Sequence, residues 1–410
     1  MATVVISSYN VASFPEGGGH FWVYLQYVLG LRQAGCEVYW LERLQKRANR
    51  GPKATAVATF LERVKRFGLE RNALLYSSPE EKADGEGPSE FLTVSSSEAE
   101  SIFRRADLLL NFHYAISPAL VARFRRTALV DIDPGLLQFW MATGQLQVPQ
   151  HDLYFTTGET VGTTRATFPD CGLRWIHFPP PVCLEQWPYA YDPSCERFTT
   201  VAGWWSGMWV KEIEDGTEVF VDNTKRASFL QFVELPRRTP QPLELALYLA
   251  DGDGEDRRVL ENHGWHVHHS REIARTPEMY RSYIQGSRGE FSCAKPSCMK
   301  FQNAWVSDRT LCYLASGKPA VVQNTGPSAL LPNGEGMFRF STLEEAADAL
   351  VAVNTDYERH CRAARDLAEA HFDARKVLER MIEAGLTSAS REGRSYSPLS
   401  LPTSSASDRP

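Results

Sequence analysis

Three glycines, Gly17, Gly18 and Gly19, run straight into His20, between an apolar run and a helical pattern. Glycine lets a ligand approach backbone N–H groups closely, and the N–H groups at a helix start attract phosphate or sugar oxygens. A histidine at or near that helix N-cap is kept neutral at pH 7 by the helix dipole, as a general base requires. The bland alternative is a flexible turn followed by a histidine that only caps. Such a base is commonly oriented by a carboxylate. Asp131 and Asp133, at the end of the run LVDID, are the candidates, although Asp133-Pro134-Gly135 is also a good turn. His113 ends another apolar run and is the reserve base.

A second constellation lies in 291–326. A strand pattern ends near Cys293, and Lys295 and Lys300 follow in a loop. Ser307, Asp308, Arg309 and Thr310 then open a helical pattern that Gly317 ends, and Thr325-Gly326 follow the next apolar run. Lysines before a helix start, with hydroxyls and an arginine inside it, describe a diphosphate site. Solvated charges on an amphipathic helix are the alternative. Thr325 and Gly326 follow a strand on the ligand side and are placed to touch whatever the diphosphate carries. The dinucleotide fingerprint GxGxxG is absent, so NAD is weakly supported.

These residues need elements to hold them. Short apolar runs alternate with helical patterns almost throughout, which predicts an α/β fold with parallel sheets. VVISS (4–8) is a strand, His20 to Gly35 a helix, and CEVYWLE (36–42) the next strand. Three consecutive prolines at 179–181 break the series, and a second alternating series follows, in which NAWVSDRTLCYLASG (303–317) is helical. Ser341 with Glu344 forms a capping box. The predicted architecture is two Rossmann-like, doubly wound parallel-sheet domains facing across a cleft. Residues 1–180 form the first domain, 181–196 a Pro-rich linker, 197–386 the second domain and 387–410 a disordered tail. A polar, turn-rich loop is expected over 77–90.

Composition bounds the function. The chain has 410 residues, 43% hydrophobic and 23% charged, enough for about two cores. A net charge of −6 argues against a nucleic-acid partner held by phosphate contacts. No apolar run predicts an integral membrane segment, and the start lacks a signal-peptide pattern. Eight scattered cysteines without a CxxC pair suggest reduced thiols in a cytoplasm.

The opening GGGHFWVYLQYVLGLRQAGCEVYWLE and the block SDRTLCYLASGKPAVVQNTG resemble glycosyltransferases of the GT-B fold over roughly residues 1–385. The resemblance implies a nucleotide-diphosphate sugar as co-substrate, held by the C-terminal domain, and a small-molecule or glycan acceptor held by the N-terminal one. It also implies that His20 is the base of an inverting transfer. Arg309 matches an RxFEALAxG-like pattern, but Cys312 stands at its glutamate, which commonly contacts the donor ribose. Ala304 and Cys312 occupy the paired glutamate positions of retaining members, which tilts the expectation to inversion. A nucleotide-sugar 2-epimerase of the same fold is the runner-up. A catalytically silent nucleotide- or glycan-binding protein is the third reading.

Other features carry less. His263, His266, His268 and His269 surround a short strand, whose alternation sends neighbours to opposite faces. DID (131–133) and DGD (251–253) match a metal-binding pattern only in letters, and no metal or cofactor is expected. Trp204, Trp205 and Trp209 fit either a stacking platform or a core.

Overall fold

Apolar strands, buried on both faces, build two sheets of the kind that helices must cover on each side. The computed structural model describes residues 1–45, 53–77, 90–205, 210–214, 217–250 and 252–387. The expected tail beyond 387, most of the expected loop at 77–90 and Trp209 lie outside the described residues.

The first sheet uses β1 (Thr3–Ser8), β2 (Glu37–Arg43), β3 (Ala73–Ser77), β4 (Glu90–Phe91), β5 (Leu108–Asn111), β6 (Thr127–Asp131), β7 (Leu153–Thr156) and β8 (Trp175–His177). Its order is β4-β3-β2-β1-β5-β6-β7-β8, parallel except for β3 with β4. The second sheet uses β9 (Phe198–Gly203), and after a separate antiparallel hairpin of β10 (Val210–Glu214) and β11 (Thr217–Val221), β12 (Leu243–Tyr248), β13 (His266–His269), β14 (Gly289–Ser292), β15 (Ala320–Gln323) and β16 (Met337–Phe340). Its order is β13-β12-β9-β14-β15-β16, parallel throughout. Strand order reverses at β1 in one sheet and at β9 in the other. The crevice beyond the carboxyl ends at such a reversal is where open α/β sheets bind ligands.

The helix Gly18–Gln33 is buried on most of its circumference, because three surfaces cover it: its own sheet, the helix Pro277–Gln285 and the C-terminal helix Ala374–Thr387. This corrects the expected domain boundary at 386. Val377, Leu378 and Met381 join the apolar core of the first sheet, and a Cβ on Gly30 would lie 2.5 Å from Leu378 Cδ1. The chain therefore crosses between the sheets twice. The two crossings pair as a short parallel bridge, with Val182 N donating to Phe372 O at 2.7 Å and Ala374 N to Val182 O at 3.0 Å. The segment expected as a linker is itself packed, with Trp187 fully buried and its ring 4.9 Å from that of Trp22. The capping box is one residue later than expected. Glu345 N donates to Thr342 Oγ1, and Thr342 N to Glu345 Oε2.

Candidate functional site

The carboxyl edges of the two sheets enclose a cleft of about 750 Å³. Its N-terminal wall carries Gly17, Gly18, Gly19 and His20, as the motif led us to expect. The reason for the glycines differs. A Cβ on Gly18 would lie 2.4 Å from Thr276 O and 2.5 Å from Ala274 O, and one on Gly19 would lie 2.6 Å from the Tyr280 ring. The bare backbone at these two positions admits a loop and a helix of the other half of the chain. None of the three has a positive φ, so turn geometry does not demand them.

His20 is the third residue of its helix, inside the N-cap, which is Gly17. Its Nε2 lies 2.8 Å from the carbonyl oxygen of Tyr9. Burial lowers its pKa below the usual histidine value, partly offset by that hydrogen bond, so the ring is neutral at pH 7. The orienting role expected of Asp131 is not what the structure provides. Asp131 is fully buried and accepts from Gln138 Nε2 and Thr156 Oγ1, both at 2.8 Å. Burial pushes its carboxyl up to about 7. It fastens β6 to β7 and to the helix Leu136–Ala142. His113, the reserve base, is buried against Tyr9 with ring centroids 5.1 Å apart, and burial holds its pKa at about 4. Asp133 does face the cleft.

On the opposite wall, Lys295 Nζ lies 3.4 Å from Asp133 Oδ1, which raises the lysine pKa and bridges the cleft. Ser307 caps the helix Asp308–Ala315 by accepting from Arg309 N at 3.3 Å. Ser307, Asp308 and Arg309 line the cleft. The Arg309 guanidinium is largely committed inward. Its Nε donates to Glu290 Oε1 at 2.7 Å, one Nη to Val201 O at 2.8 Å and the other to Ser292 Oγ. Burial opposes its charge, but fully buried Glu290 holds it ionised. Of its five N–H groups, two are left for a ligand. Lys300 is exposed on the helix Pro296–Phe301, outside the cleft lining, and Thr310 is buried under a smaller cavity.

Sequence reasoning missed Lys225. It is 6% exposed, lines the cleft, donates to Cys293 O and sits 5.5 Å from the centroid of the Trp305 ring. Burial, with Arg309 and Lys295 nearby, drives its pKa down to about 7. One signal was available: Lys225 opens a helix, where the dipole disfavours a cation. A buried lysine of lowered pKa that lines a cleft is one whose charge a bound anion would restore.

Thr325 and Gly326 brace the site from behind rather than line the cleft. Thr325 Oγ1 donates to Trp305 O at 2.7 Å, and Ala304 N to Thr325 O at 2.9 Å. This braces a segment in which Gln302 and Ala304 both hold positive φ, a strained backbone that presents Trp305 to the cleft. Trp204 is core, donating to Asp256. Trp205 is 45% exposed on the cleft, with its N–H on Asp253 Oδ1 at 2.8 Å. Cys312 is buried beside Gln26, whose Nε2 lies 3.7 Å from its Sγ, and not in the cleft. His263 pairs with Glu234 and His268 with Glu244, and no group of three metal-ligating side chains gathers among the described residues.

No family model and no curated protein matches the sequence. Solved structures do. An alpha-glucosyltransferase in complex with UDP and a 13-mer DNA matches at a TM-score of 0.57 and 11% identity, over 94% of this chain and 98% of that one. Sucrose-phosphate synthase from Thermosynechococcus elongatus matches at 0.52 and 12%, over 94% and 98%. The Anabaena protein HepE, in complex with UDP and glucose, matches at 0.52 and 10%, over 94% and 99%. At such identities the likeness is one of fold, and the fold is GT-B: two Rossmann-like domains across a cleft. One of these neighbours holds DNA, so the comparison lends no support to excluding nucleic acid on net charge. Among the described residues, no helix is long and apolar enough to cross a membrane.

Proposed function

We propose that the protein is a glycosyltransferase that moves a sugar from a nucleotide-diphosphate sugar to an acceptor hydroxyl. One observation carries the reading. Lys225, Lys295 and the capped helix start at Ser307 converge on one wall of the cleft, and His20 stands on the other. Cations and a helix N-terminus are what a departing diphosphate needs, because most of the developing charge is its own. Imidazole opposite them can take the acceptor's proton as its oxygen bonds to the anomeric carbon and the bond to the diphosphate breaks. A single displacement of this kind inverts the anomeric centre. Two lysines from the chain supply the charge that a metal would otherwise supply, which supports a metal-independent reaction.

The N-terminal wall supports a small-molecule or glycan acceptor. Tyr9, Phe14 and Tyr24 offer ring faces and edges suited to a sugar.

The test is nucleotide release. The protein is incubated with UDP-, GDP- and ADP-sugars, alone and with monosaccharide, oligosaccharide and DNA acceptors. Diphosphate release that depends on an acceptor, with an inverted linkage by NMR, supports the proposal, and activity that persists in EDTA supports metal independence. Conversion to an epimeric sugar without acceptor would make it an epimerase. Failure of every nucleotide to bind or stabilise the protein would end the reading; a bound one at 100 times its Kd adds about 2.7 kcal/mol.

A further inference from the structure

We infer that Glu42 is the positioning residue for His20, acting through the carbonyl of Tyr9, and that Nδ1 of His20 is therefore the nitrogen that takes the acceptor's proton. The inference rests on the reading of His20 as the base.

The first step is the tautomer. A carbonyl oxygen only accepts, so the 2.8 Å contact from His20 Nε2 to Tyr9 O requires hydrogen on Nε2. A neutral imidazole carries one N–H, which leaves the lone pair on Nδ1. Among the described residues Nδ1 has no hydrogen-bond partner, and it is not a buried atom left unpaired. The ring lines the cleft and is held edge-on between Phe14 and Tyr24, at centroid distances of 6.1 and 5.4 Å.

The second step is what holds Tyr9 O still. Tyr9 is an exposed residue of the loop after β1, next to Asn10, whose φ is +62°. A non-glycine residue in that region persists only where its surroundings over-determine it. One part of those surroundings is a carboxylate, beside the Tyr9–His113 ring contact and a hydrogen bond between the Tyr9 backbone and Tyr24. Glu42, near the end of β2, is 0% exposed. It accepts from Ser8 Oγ, from Ala12 N at 3.1 Å and from the backbone of Val11. Trp40 Nε1 donates in turn to Ser8 Oγ at 2.6 Å. Both ends of the Tyr9–Val11 segment are thus tied to the same side chain. An unpaired carboxylate at this depth would be very costly, so the donors and the acid hold one another in place. Glu42 does not line the cleft, so its effect on a reaction there must pass through Tyr9. The device differs from a histidine oriented by a carboxylate. The acid is one loop removed, and a peptide carbonyl sets the tautomer.

The test reads the ring directly. Full-length protein with ¹⁵N-labelled histidine is examined by long-range ¹H–¹⁵N NMR at pH 8, with His20 assigned by His20→Asn. The wild type should show His20 with hydrogen on Nε2. Glu42→Ala should give mixed tautomers and lower kcat at least tenfold, with donor KM within twofold. Glu42→Gln keeps an acceptor oxygen and should recover kcat to within threefold of wild type. Should Glu42→Ala not fold, Ser8→Ala, which removes one arm of the tie, should shift the tautomer ratio in the same direction. Hydrogen on Nδ1 in the wild type would overturn the inference, as would an unchanged tautomer and kcat in the Glu42 and Ser8 variants. The predicted tautomer shifts in a protein that transfers no sugar would leave the positioning intact and overturn the proposed function instead.

Discussion

Lys295 Nζ and Asp133 Oδ1 meet at 3.4 Å across the cleft, and the pair keeps a cation facing the cleft that a diphosphate would have to win from a carboxylate. Both side chains are about a quarter to a third exposed, so the pair is worth roughly 0.2–1 kcal/mol. Asp133→Asn should therefore strengthen nucleoside-diphosphate binding by up to about fivefold. Lys295→Met should weaken it by about 1.5–3 kcal/mol, the range for a hydrogen bond to a charged group. In the double variant the gain from Asp133→Asn should vanish, because the lysine it releases is gone. Calorimetric titration of the four proteins checks this, and a gain that survives without Lys295 would refute it.

Lys225 predicts a proton-coupled binding step. With its pKa driven down to about 7 by burial, the amine is mostly neutral at pH 8 in the free protein. A diphosphate beside it favours the ammonium, so its pKa rises on binding. Binding at pH 8 should take up close to one proton, and little at pH 6, where the lysine is already charged. Titrations in buffers of different ionisation enthalpy measure that uptake. Lys225→Met should abolish it and weaken binding as well.

Gly18 predicts a packing effect without a change of chemistry. A Cβ there meets backbone oxygens of Ala274 and Thr276, which cannot swing away as a side-chain tip can. Gly18→Ala should lower the melting temperature and cut kcat, by pushing the loop before Pro277–Gln285 off the helix Gly18–Gln33. Gly18→Ala with unchanged melting temperature and turnover would mean that the loop is free to move away.

The βαβ rhythm made the two sheets legible, because buried parallel strands are short, apolar and evenly punctuated. The cleft was half legible. His20, Asp133, Lys295, Ser307 and Arg309 do share it, since each follows a strand or opens a helix at a carboxyl edge. What periodicity cannot report is which body a buried face meets. The glycines fit the far half of the chain, Ala374–Thr387 crosses back to the first sheet, and Asp131 looks inward rather than at His20. Glu42 escaped because a lone charge in an ordinary strand pattern gives no sign that it is buried, and Lys225 offered only its place at a helix start.

His20 carries the sharpest expectation. His20→Ala should lower kcat by about 10²–10⁴, the usual worth of a positioned base, with donor affinity little changed because the donor's cations lie on the other wall. His20→Asn should be as slow, since the helix is capped at Gly17 and an amide cannot take the proton. The sign of the pH dependence follows from the pKa. Burial lowers it below 6.5, so the neutral, active ring persists to lower pH than an exposed histidine would. Activity should fall as pH drops through that lowered value, and the limb should be absent from the residual rate of both variants. Glu42 titrates higher, near 7, but its protonated form keeps a carbonyl acceptor for the loop as Glu42→Gln does, so it should add little to the acid limb. Glu42→Gln cannot titrate there, so its kcat profile should keep the His20 limb. A Glu42→Gln profile without any acid limb, or an Asn variant at wild-type speed, would assign the proton to a group other than His20.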